Sequence, residues 1–221
     1  MDEKRLVTFI DTLSWQIPEE LKILEKEALA DEVPIIRRSM QSLLAFLIRM
    51  KRPERILEIG TAVGFSGILM LSYAGRDAHL DTIEKVPARI KGARENFKRF
   101  AVGDRVCLYE EDAEIVLKRL VSEKKKYDFI FMDAAKGQYE SFLRPILEML
   151  SEDGMLVTDN VLQNGDVLES RYAITKRDRT IHKRMRSFLY TLTHTEGWNT
   201  VILPVGDGVA LTTFSEPMLF S

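Results

Sequence analysis

Three oxygen-bearing side chains close two apolar segments in the second half of the chain. Asp133 ends the segment 127–133, and Asp159 ends the segment 155–159 with Asn160 next in line. Carboxylate and amide oxygens are hard ligands that suit Mg²⁺ or another hard divalent cation. No histidine or cysteine lies near them in the sequence to favour zinc. Aspartate and asparagine are also ordinary turn formers, but the set of three favours a metal site.

Lys136 follows Asp133 by three residues. A neighbouring cation disfavours the protonated form of a lysine, and a neutral amine can act as a general base. The alternative is a solvated loop lysine. The pattern therefore indicates a catalytic base beside the predicted metal site.

A glycine-containing segment, 58–66, reads Glu-Ile-Gly-Thr-Ala-Val-Gly-Phe-Ser and lies between an apolar segment and a helical one. Gly60 and Gly64 are four residues apart, which matches neither the dinucleotide motif nor the phosphate-binding loop. Glu58 would repel a pyrophosphate, but it suits a cationic ligand such as the methionine part of a sulfonium cofactor. The simpler interpretation is a tight turn between a strand and a helix, for which glycine is well suited.

Two further acidic residues follow predicted strands. Glu84 ends the segment 78–84, where a carboxylate can accept hydrogen bonds from both hydroxyls of a ribose. Asp112 precedes Ala113 at the start of a helical segment, where it can contact an adenine amine, cap the helix, or do both. Glu84 would serve a nicotinamide cofactor equally well.

The elements that must position these residues alternate regularly. Strands are predicted at 55–59, 78–84, 106–110, 127–133 and 155–159, and helices at 65–73, 87–99, 113–120 and 139–150. This alternation predicts a parallel sheet with helices on both faces, in which ligands bind at the carboxyl ends of the strands. Helices starting at Pro18 and Pro34 precede this pattern.

The end of the chain departs from the alternation. A helix over 180–194 precedes strands at 200–203 and 209–213, and the Gly-Asp-Gly turn at 206–208 predicts a hairpin with an antiparallel strand. We therefore expect an α/β Rossmann-like fold, with a seven-stranded, mostly parallel sheet. We expect a helical extension over 1–52 and a catalytic domain over 53–221.

Composition narrows the function further. The chain has 221 residues, 45% of them hydrophobic and 30% charged, and a net charge of −2. The single cysteine, Cys107, excludes a disulfide framework within the chain, and its place in a strand predicts a buried thiol. No apolar run reaches the roughly 20 residues of a membrane span. We expect a soluble, cytoplasmic protein that makes no membrane contact.

Taken together, segments 58–66, 133–139 (Asp-Ala-Ala-Lys-Gly-Gln-Tyr) and 158–162 (Thr-Asp-Asn-Val-Leu) carry a family resemblance. The chain resembles the cation-dependent O-methyltransferases related to catechol and caffeoyl-CoA O-methyltransferases. The resemblance covers about 33–213 and implies the class I S-adenosylmethionine-dependent methyltransferase fold and a homodimer. It implies S-adenosylmethionine contacts at Glu58, Gly60, Thr61, Ser66, Glu84, Asp112, Ala113 and Asp133. It also implies metal ligands at Asp133, Asp159 and Asn160, and catalytic roles for Lys136 as the base and for Asp133.

A narrower resemblance concerns the methyl acceptor. Segments 35–41, 176–180 and 203–209 look like those of bacterial tRNA 5-hydroxyuridine methyltransferases, which methylate the 5-hydroxyl of the wobble uridine. The basic segment, defined as residues 171–186, holds seven cationic side chains and the single acid Asp178. Such a segment can neutralise phosphates of a tRNA anticodon loop, with candidate RNA contacts at Arg37, Arg38, Lys176, Arg177 and Arg179.

Other functions remain open for the same residues. A small-molecule catechol-type O-methyltransferase would use the same chemistry and leave the basic segment as a solvated helix face. A non-catalytic RNA-binding protein would need neither Lys136 nor the set of Asp133, Asp159 and Asn160. An NAD oxidoreductase is disfavoured by the glycine spacing.

Overall fold

The computed structural model describes residues 3–13, 17–170 and 172–214. In these residues the strands form one sheet in the order β3-β2-β1-β4-β5-β7-β6. The strands are β1 Arg55–Ile59, β2 His79–Ile83, β3 Val106–Tyr109, β4 Tyr127–Met132, β5 Leu150–Thr158, β6 Trp198–Leu203 and β7 Val209–Phe214. The helices are α1 Glu3–Leu13, α2 Glu19–Ala30, α3 Arg38–Lys51, α4 Phe65–Tyr73, α5 Pro87–Arg99, α6 Ala113–Ser122, α7 Tyr139–Met149 and α8 Arg179–His194.

The strand directions confirm the predicted fold class. β4 pairs in parallel with β1 and β5, and β2 pairs in parallel with β3. β7 runs antiparallel to β5 on one side and to β6 on the other. The structure is thus a seven-stranded mixed sheet with a C-terminal antiparallel hairpin, as the turn at 206–208 predicts. Parallel pairing brings the carboxyl ends of neighbouring strands to the same edge of the sheet.

The chain divides into two compact units. One comprises Met1–Glu54 and Thr61–Glu110, and the other comprises Arg55–Gly60 and Glu111–Ser221. In the first, the apolar face of α3 and nearly all of α4 are buried. In the second, β4 is the most buried strand, because Phe129, Ile130, Phe131 and Met132 are all inaccessible to solvent. The predicted division at residues 52 and 53 stays a prediction.

One helix begins later than the sequence predicts. The sequence predicts a helix starting at Pro34, but residues 33–37 form neither helix nor strand and α3 begins at Arg38. The side-chain amide of Gln41 donates to the carbonyl of Ile36 (3.0 Å) and to Glu25 Oε1 (3.0 Å) in a buried position. Because the carbonyl of Ile36 is engaged in this way and its side chain is buried, the segment before α3 is held outside the helix.

The expected burial of Cys107 is wrong. The residue lies in β3 as predicted, but it is an exposed free thiol. β3 is an edge strand of the sheet, and none of its four residues is buried: Cys107 is exposed and the other three are partly exposed. An apolar sequence run therefore overestimates burial here, since edge position is set by topology.

No helix in the described ranges is long and apolar enough to cross a membrane.

Candidate active site

Asp133, Asp159 and Asn160, called the carboxylate cluster from here on, follow the neighbouring parallel strands β4 and β5. Met132 pairs with Thr158 at the ends of these strands, so residues 133 and 159 leave the sheet side by side. The backbone N–H of Asp159 continues the ladder by donating to the carbonyl of Met132 (3.0 Å). The structure therefore brings together the three side chains that the sequence groups as one site.

Hydrogen bonds hold the carboxylate cluster in one arrangement. Asn160 Nδ2 donates to Asp133 Oδ1 (2.9 Å), and the backbone N–H of Asn160 donates to Asp159 Oδ1 (2.7 Å). Asn160 adopts a left-handed backbone with φ of 60°, a region that asparagine tolerates better than most residues. The amide nitrogen of Asn160 is thus committed to the cluster, which leaves its side-chain oxygen as the available ligand atom.

Burial dominates the electrostatics of the cluster. Burial raises the pKa of Asp133 above its ordinary value, while the hydrogen bond from Asn160 and the positive charge of Lys136 oppose this rise. Asp159 is also buried, with 4% of its surface exposed. Two desolvated carboxylates are costly without a cation nearby, and an all-oxygen donor set fits a hard divalent ion. In the part of the chain that the structure describes, no three or more His, Cys, Asp or Glu side chains form a metal-binding group, so this set has two carboxylates and one amide.

Tyr139 supports the carboxylate cluster through a hydrogen bond, a role that the sequence did not predict. Its ring is buried at the start of α7, and its hydroxyl donates to the backbone carbonyl of Asp159 (3.0 Å). Burial, followed by the charges of Asp133 and Asp159, raises the pKa of Tyr139 well above its ordinary value. The residue is therefore a neutral hydrogen-bond donor. The sequence places it only as the last residue of the segment 133–139, and nothing in its spacing predicts this bond.

Lys136 lies in the lysine turn, defined as the 3-10 turn Lys136–Gln138 between β4 and α7. Its side chain is half-buried, and its charge acts on Asp133. The lysine that the sequence predicts as a base is therefore close enough to the carboxylate cluster to influence it electrostatically.

Gly60 makes the closest backbone approach in this region. Its φ is 108°, and a Cβ atom built on it would lie 2.0 Å from the carbonyl oxygen of Asp133. The backbone N–H of Asp133 in turn donates to the carbonyl of Ile59 (3.0 Å). Glycine is required here both for the backbone angle and for the contact, so the glycine segment and the carboxylate cluster depend on each other sterically.

Glu84 ties the glycine segment to the end of β2. Its Oε2 accepts from the backbone N–H of Ala62 (3.0 Å), and its Oε1 accepts from those of Lys85 (2.9 Å) and Val86 (3.0 Å). A carboxylate has about four acceptor positions, so three are taken by the backbone. The ribose contact predicted for Glu84 has one acceptor position left in this arrangement, and two hydroxyl contacts would require one backbone bond to open.

The other predicted cofactor residues lie in β1, in the loop after it, and at the starts of α4 and α6, and their contacts with a cofactor stay predictions. Glu58 is fully buried in β1, and Ser66 is buried in the first turn of α4. Thr61 is buried, and its hydroxyl bonds that of Thr82 (2.6 Å). Asp112 caps α6, which begins at Ala113, by accepting from the backbone N–H of Glu114 (3.0 Å). The capping role is therefore confirmed, and the adenine contact stays a prediction.

The cations of the basic segment fall into two groups according to their hydrogen bonds. Three of its arginines donate to backbone carbonyls: Arg179 to Ile174 (3.2 Å), Arg184 to Gly137 (2.8 Å) and Arg186 to Val167 (3.1 Å). Lys176 and Arg177 are exposed, and neither has a hydrogen bond or ion pair with another described residue. Arg171 lies outside the described residues. The segment thus contains both structural arginines and free cations.

Arg37 and Arg38 immediately precede and begin α3, and both are exposed. Arg38 forms an ion pair with the buried Glu25 (3.5 Å). Such a pair is partly screened by solvent and contributes little by itself, so Arg38 remains available for an additional contact.

Fold and site together define an α/β enzyme with a glycine segment and two acidic residues suited to a nucleotide-like cofactor, and an oxygen-ligand cluster beside a lysine. A family model described as O-methyltransferase matches residues 12–214. The chain therefore belongs to the O-methyltransferase family.

Individual relatives agree with this assignment. The catechol O-methyltransferase of Mycobacterium tuberculosis is 32% identical over 141 residues, which is 63% of each protein. Tapetum-specific methyltransferase 1 of Arabidopsis thaliana is 25% identical over 169 residues, or 76% of this chain and 72% of that protein. The structure of the Podospora anserina methyltransferase PaMTH1 bound to S-adenosylhomocysteine has a TM-score of 0.84 and 29% identity, and the match covers 98% of this chain and 97% of that one. The chain is an S-adenosylmethionine-dependent O-methyltransferase.

Proposed function

We propose that this enzyme methylates the 5-hydroxyl of wobble 5-hydroxyuridine in tRNA, and that it requires a divalent metal. The observation that carries the chemistry is the carboxylate cluster, in which Asn160 bonds to both Asp133 and Asp159 beside the half-buried Lys136. The choice of acceptor rests on the exposed cations of the basic segment and on the narrower resemblance described above.

The cofactor contacts are proposed at the residues named from the sequence. Glu58 is a buried carboxylate that suits the charged methionine part of S-adenosylmethionine, and Gly60 allows close approach of the backbone. Glu84 contributes its remaining acceptor position to the ribose. Thr61, Ser66, Asp112, Ala113 and Asp133 complete the proposed set.

Asp133, Asp159 and Asn160 would hold the metal ion, because they offer one buried carboxylate, one partly buried carboxylate and one amide oxygen. A bound Mg²⁺ would lower the pKa of the acceptor hydroxyl and orient its oxygen. Tyr139 keeps the carbonyl of Asp159 in place throughout.

Lys136 accepts the proton of the acceptor hydroxyl on Nζ. The acceptor oxygen forms its new bond to the methyl carbon as the bond from that carbon to the sulfonium sulfur breaks, which releases S-adenosylhomocysteine. The chain lowers the activation barrier mainly by holding the two reactants in line, an effect that amounts to roughly 7–11 kcal/mol in favourable cases.

The exposed cations support a polyanionic acceptor. Lys176 and Arg177 project without described partners, and Tyr172 nearby in the same segment is 89% exposed. Cations without a described partner, in the same segment as an exposed aromatic ring, suit a single-stranded nucleic acid, whose phosphates bind cations and whose bases stack on aromatic rings. An anticodon loop offers both groups.

A small catechol-like substrate is the second candidate. It is favoured by the hydrogen bonds of Arg179, Arg184 and Arg186 to backbone carbonyls, which give three of the seven cations of the basic segment a structural role. The named catechol O-methyltransferase relative points the same way. This acceptor would use the carboxylate cluster and Lys136 in the same manner.

The test follows methyl transfer from labelled S-adenosylmethionine in the presence of Mg²⁺. Parallel reactions contain tRNA with 5-hydroxyuridine, the same tRNA with unmodified uridine, and catechol. Each is repeated with EDTA, with EDTA followed by excess Mg²⁺, and with the variants Lys136→Ala and Asp159→Ala. The double variant Lys176→Gln/Arg177→Gln is assayed on both acceptors over a range of salt concentrations.

Label in the modified tRNA and none in the unmodified tRNA, lost with EDTA and restored by Mg²⁺, is the expected result. The double variant should then weaken RNA binding and reduce the slope of log K against log salt by about 1–2, while catechol turnover stays unchanged. Transfer to catechol but not to tRNA would overturn the tRNA assignment and keep the chemistry. Full activity in EDTA would overturn the metal requirement.

We also propose a homodimer. α1 packs on α3, yet Phe9 and Leu13 of α1 are 61% and 69% exposed, and Phe46 and Met50 of α3 are 63% and 58% exposed. Large exposed apolar side chains on two helices that contact each other are a feature of interaction surfaces. Light scattering should give the mass of two chains, and Phe46→Ser should lower it. A wild-type mass of one chain at micromolar concentration would refute the proposal.

A further inference from the structure

Helix α8 makes three contacts with the lysine turn and the start of α7. Arg184 Nη1 donates to the backbone carbonyl of Gly137 (2.8 Å). Ser187 Oγ donates to Glu140 Oε1 (2.9 Å), and the ring of Phe188 packs edge-on against Tyr139 with centroids 5.6 Å apart. The lysine turn and the start of α7 are therefore attached to a helix whose first half, residues 179–186, belongs to the basic segment.

These contacts reach different parts of the loop. Phe188 and Ser187 touch residues of α7, which the burial of Tyr139 already holds in place. Arg184 reaches the lysine turn itself, at the carbonyl of Gly137, the residue that directly follows Lys136. A Cβ atom built on Gly137 would lie 3.7 Å from Arg184 Nη1, so the guanidinium lies beside the turn.

We propose that Arg184 is a positioning residue for Lys136. The guanidinium fixes the carbonyl of residue 137, and this limits the orientations from which the lysine Nζ can reach the acceptor hydroxyl. The inference rests on the proposed role of Lys136 as the proton acceptor. It places Arg184 in the active site, although the charge pattern groups this residue with the cations proposed to bind phosphate.

The role predicts a specific kinetic defect. Arg184→Gln shortens the side chain, removes its charge and breaks the bond to Gly137, but it leaves the apolar contacts of α8 intact. With a small acceptor that carries no phosphate, kcat should fall about 3- to 10-fold, which corresponds to losing about one hydrogen bond in the transition state. The KM for S-adenosylmethionine should stay within about twofold of wild type, because uniform binding is not altered.

Two readouts separate positioning from a structural role. The defect should shrink as the pH rises, because an acceptor that is already ionised needs no base. In addition, Arg184→Gln should have no further effect in the Lys136→Ala background, since a residue that acts through Lys136 has nothing to position there. Arg184→Lys retains a donor and the charge, so it should recover part of the lost rate.

Arg144→Gln serves as the matched control. Arg144 is an exposed arginine of α7 that pairs with Glu148 (3.1 Å), one turn away, and its removal should leave kcat unchanged. Thermal unfolding of every variant checks that the fold is retained.

A silent Arg184→Gln, or an effect that adds fully to that of Lys136→Ala, would overturn the inference while leaving the proposed base intact. Wild-type activity in Lys136→Ala would overturn the base, and the inference with it.

Discussion

Replacement of Gly60 by alanine tests the close approach between the glycine segment and the carboxylate cluster. The added Cβ would stand 2.0 Å from the carbonyl oxygen of Asp133, whereas ordinary contacts begin at about 3.4 Å. The two backbones must therefore separate by more than an ångström or the loop must change its path. Either movement displaces Asp133, the residue that the proposed function uses most.

The stability cost has two parts. Holding alanine at a φ of 108° costs about 1–2 kcal/mol. Separating the backbones strains or breaks the bond from the N–H of Asp133 to the carbonyl of Ile59 (3.0 Å), at about 1 kcal/mol or somewhat more. The sum is about 2–4 kcal/mol, and for a chain of this size it lowers Tm by about 5–15 °C.

Two glycine controls separate the backbone angle from the clash. Gly165 has a φ of 94° with nothing within 4 Å of a built Cβ, and Gly75 has neither a positive φ nor a close neighbour. We expect Gly75→Ala to be neutral within about 0.5 kcal/mol and Gly165→Ala to lose only the angular part.

Thermal unfolding and methyl transfer are measured together for this series. Gly60→Ala should unfold at the lowest temperature of the three, and it alone should lose at least about tenfold in kcat/KM at a temperature where all are folded. If Gly60→Ala were as stable as Gly165→Ala and fully active, the close approach to Asp133 would be refuted.

Three further substitutions test the surroundings of the site. Burial raises the pKa of Asp133, so the contribution of this carboxyl group to stability is complete below the unfolded value of 3.8 and is lost as the pH rises through the higher folded value. Asp133→Asn should therefore raise Tm in EDTA at neutral pH but not in acid, keep the bond from Asn160, and abolish methyl transfer. A lower Tm at neutral pH would contradict this expectation. Asp112→Ala removes the cap on the N–H of Glu114 and should cost about 1 kcal/mol by urea unfolding, whereas no change would mean that the cap is not formed in solution. Tyr139→Phe deletes the hydroxyl bond to the end of β5 and should weaken Mg²⁺ binding in calorimetry without changing S-adenosylmethionine binding; equal Mg²⁺ affinity would exclude a supporting role for the hydroxyl.

Local patterns in the sequence were sufficient for most elements and for the grouping of the site. β1, α4 and α5 have the predicted bounds, because each is an apolar or amphipathic segment with a glycine or proline at one of its two ends. The proximity of Asp133 and Asp159 was predictable, because neighbouring parallel strands place their carboxyl ends at one edge of the sheet. Burial of Cys107 was not predictable, because an edge strand and a central strand can share the same local pattern.

The sequence by itself determined the fold class, the family and the residue types at the site, since these follow from period, spacing and motif. Tertiary structure decided which partners those residues have. Glu84 accepts three hydrogen bonds from backbone N–H groups, Tyr139 donates to the carbonyl of Asp159, and Arg184 donates to the lysine turn. Each of these bonds depends on a distance of about 3 Å between atoms, and for Tyr139 and Arg184 they join residues 20 and 47 positions apart. Periodicity specifies the face on which a side chain lies, but only packing of the complete chain determines which atom it meets.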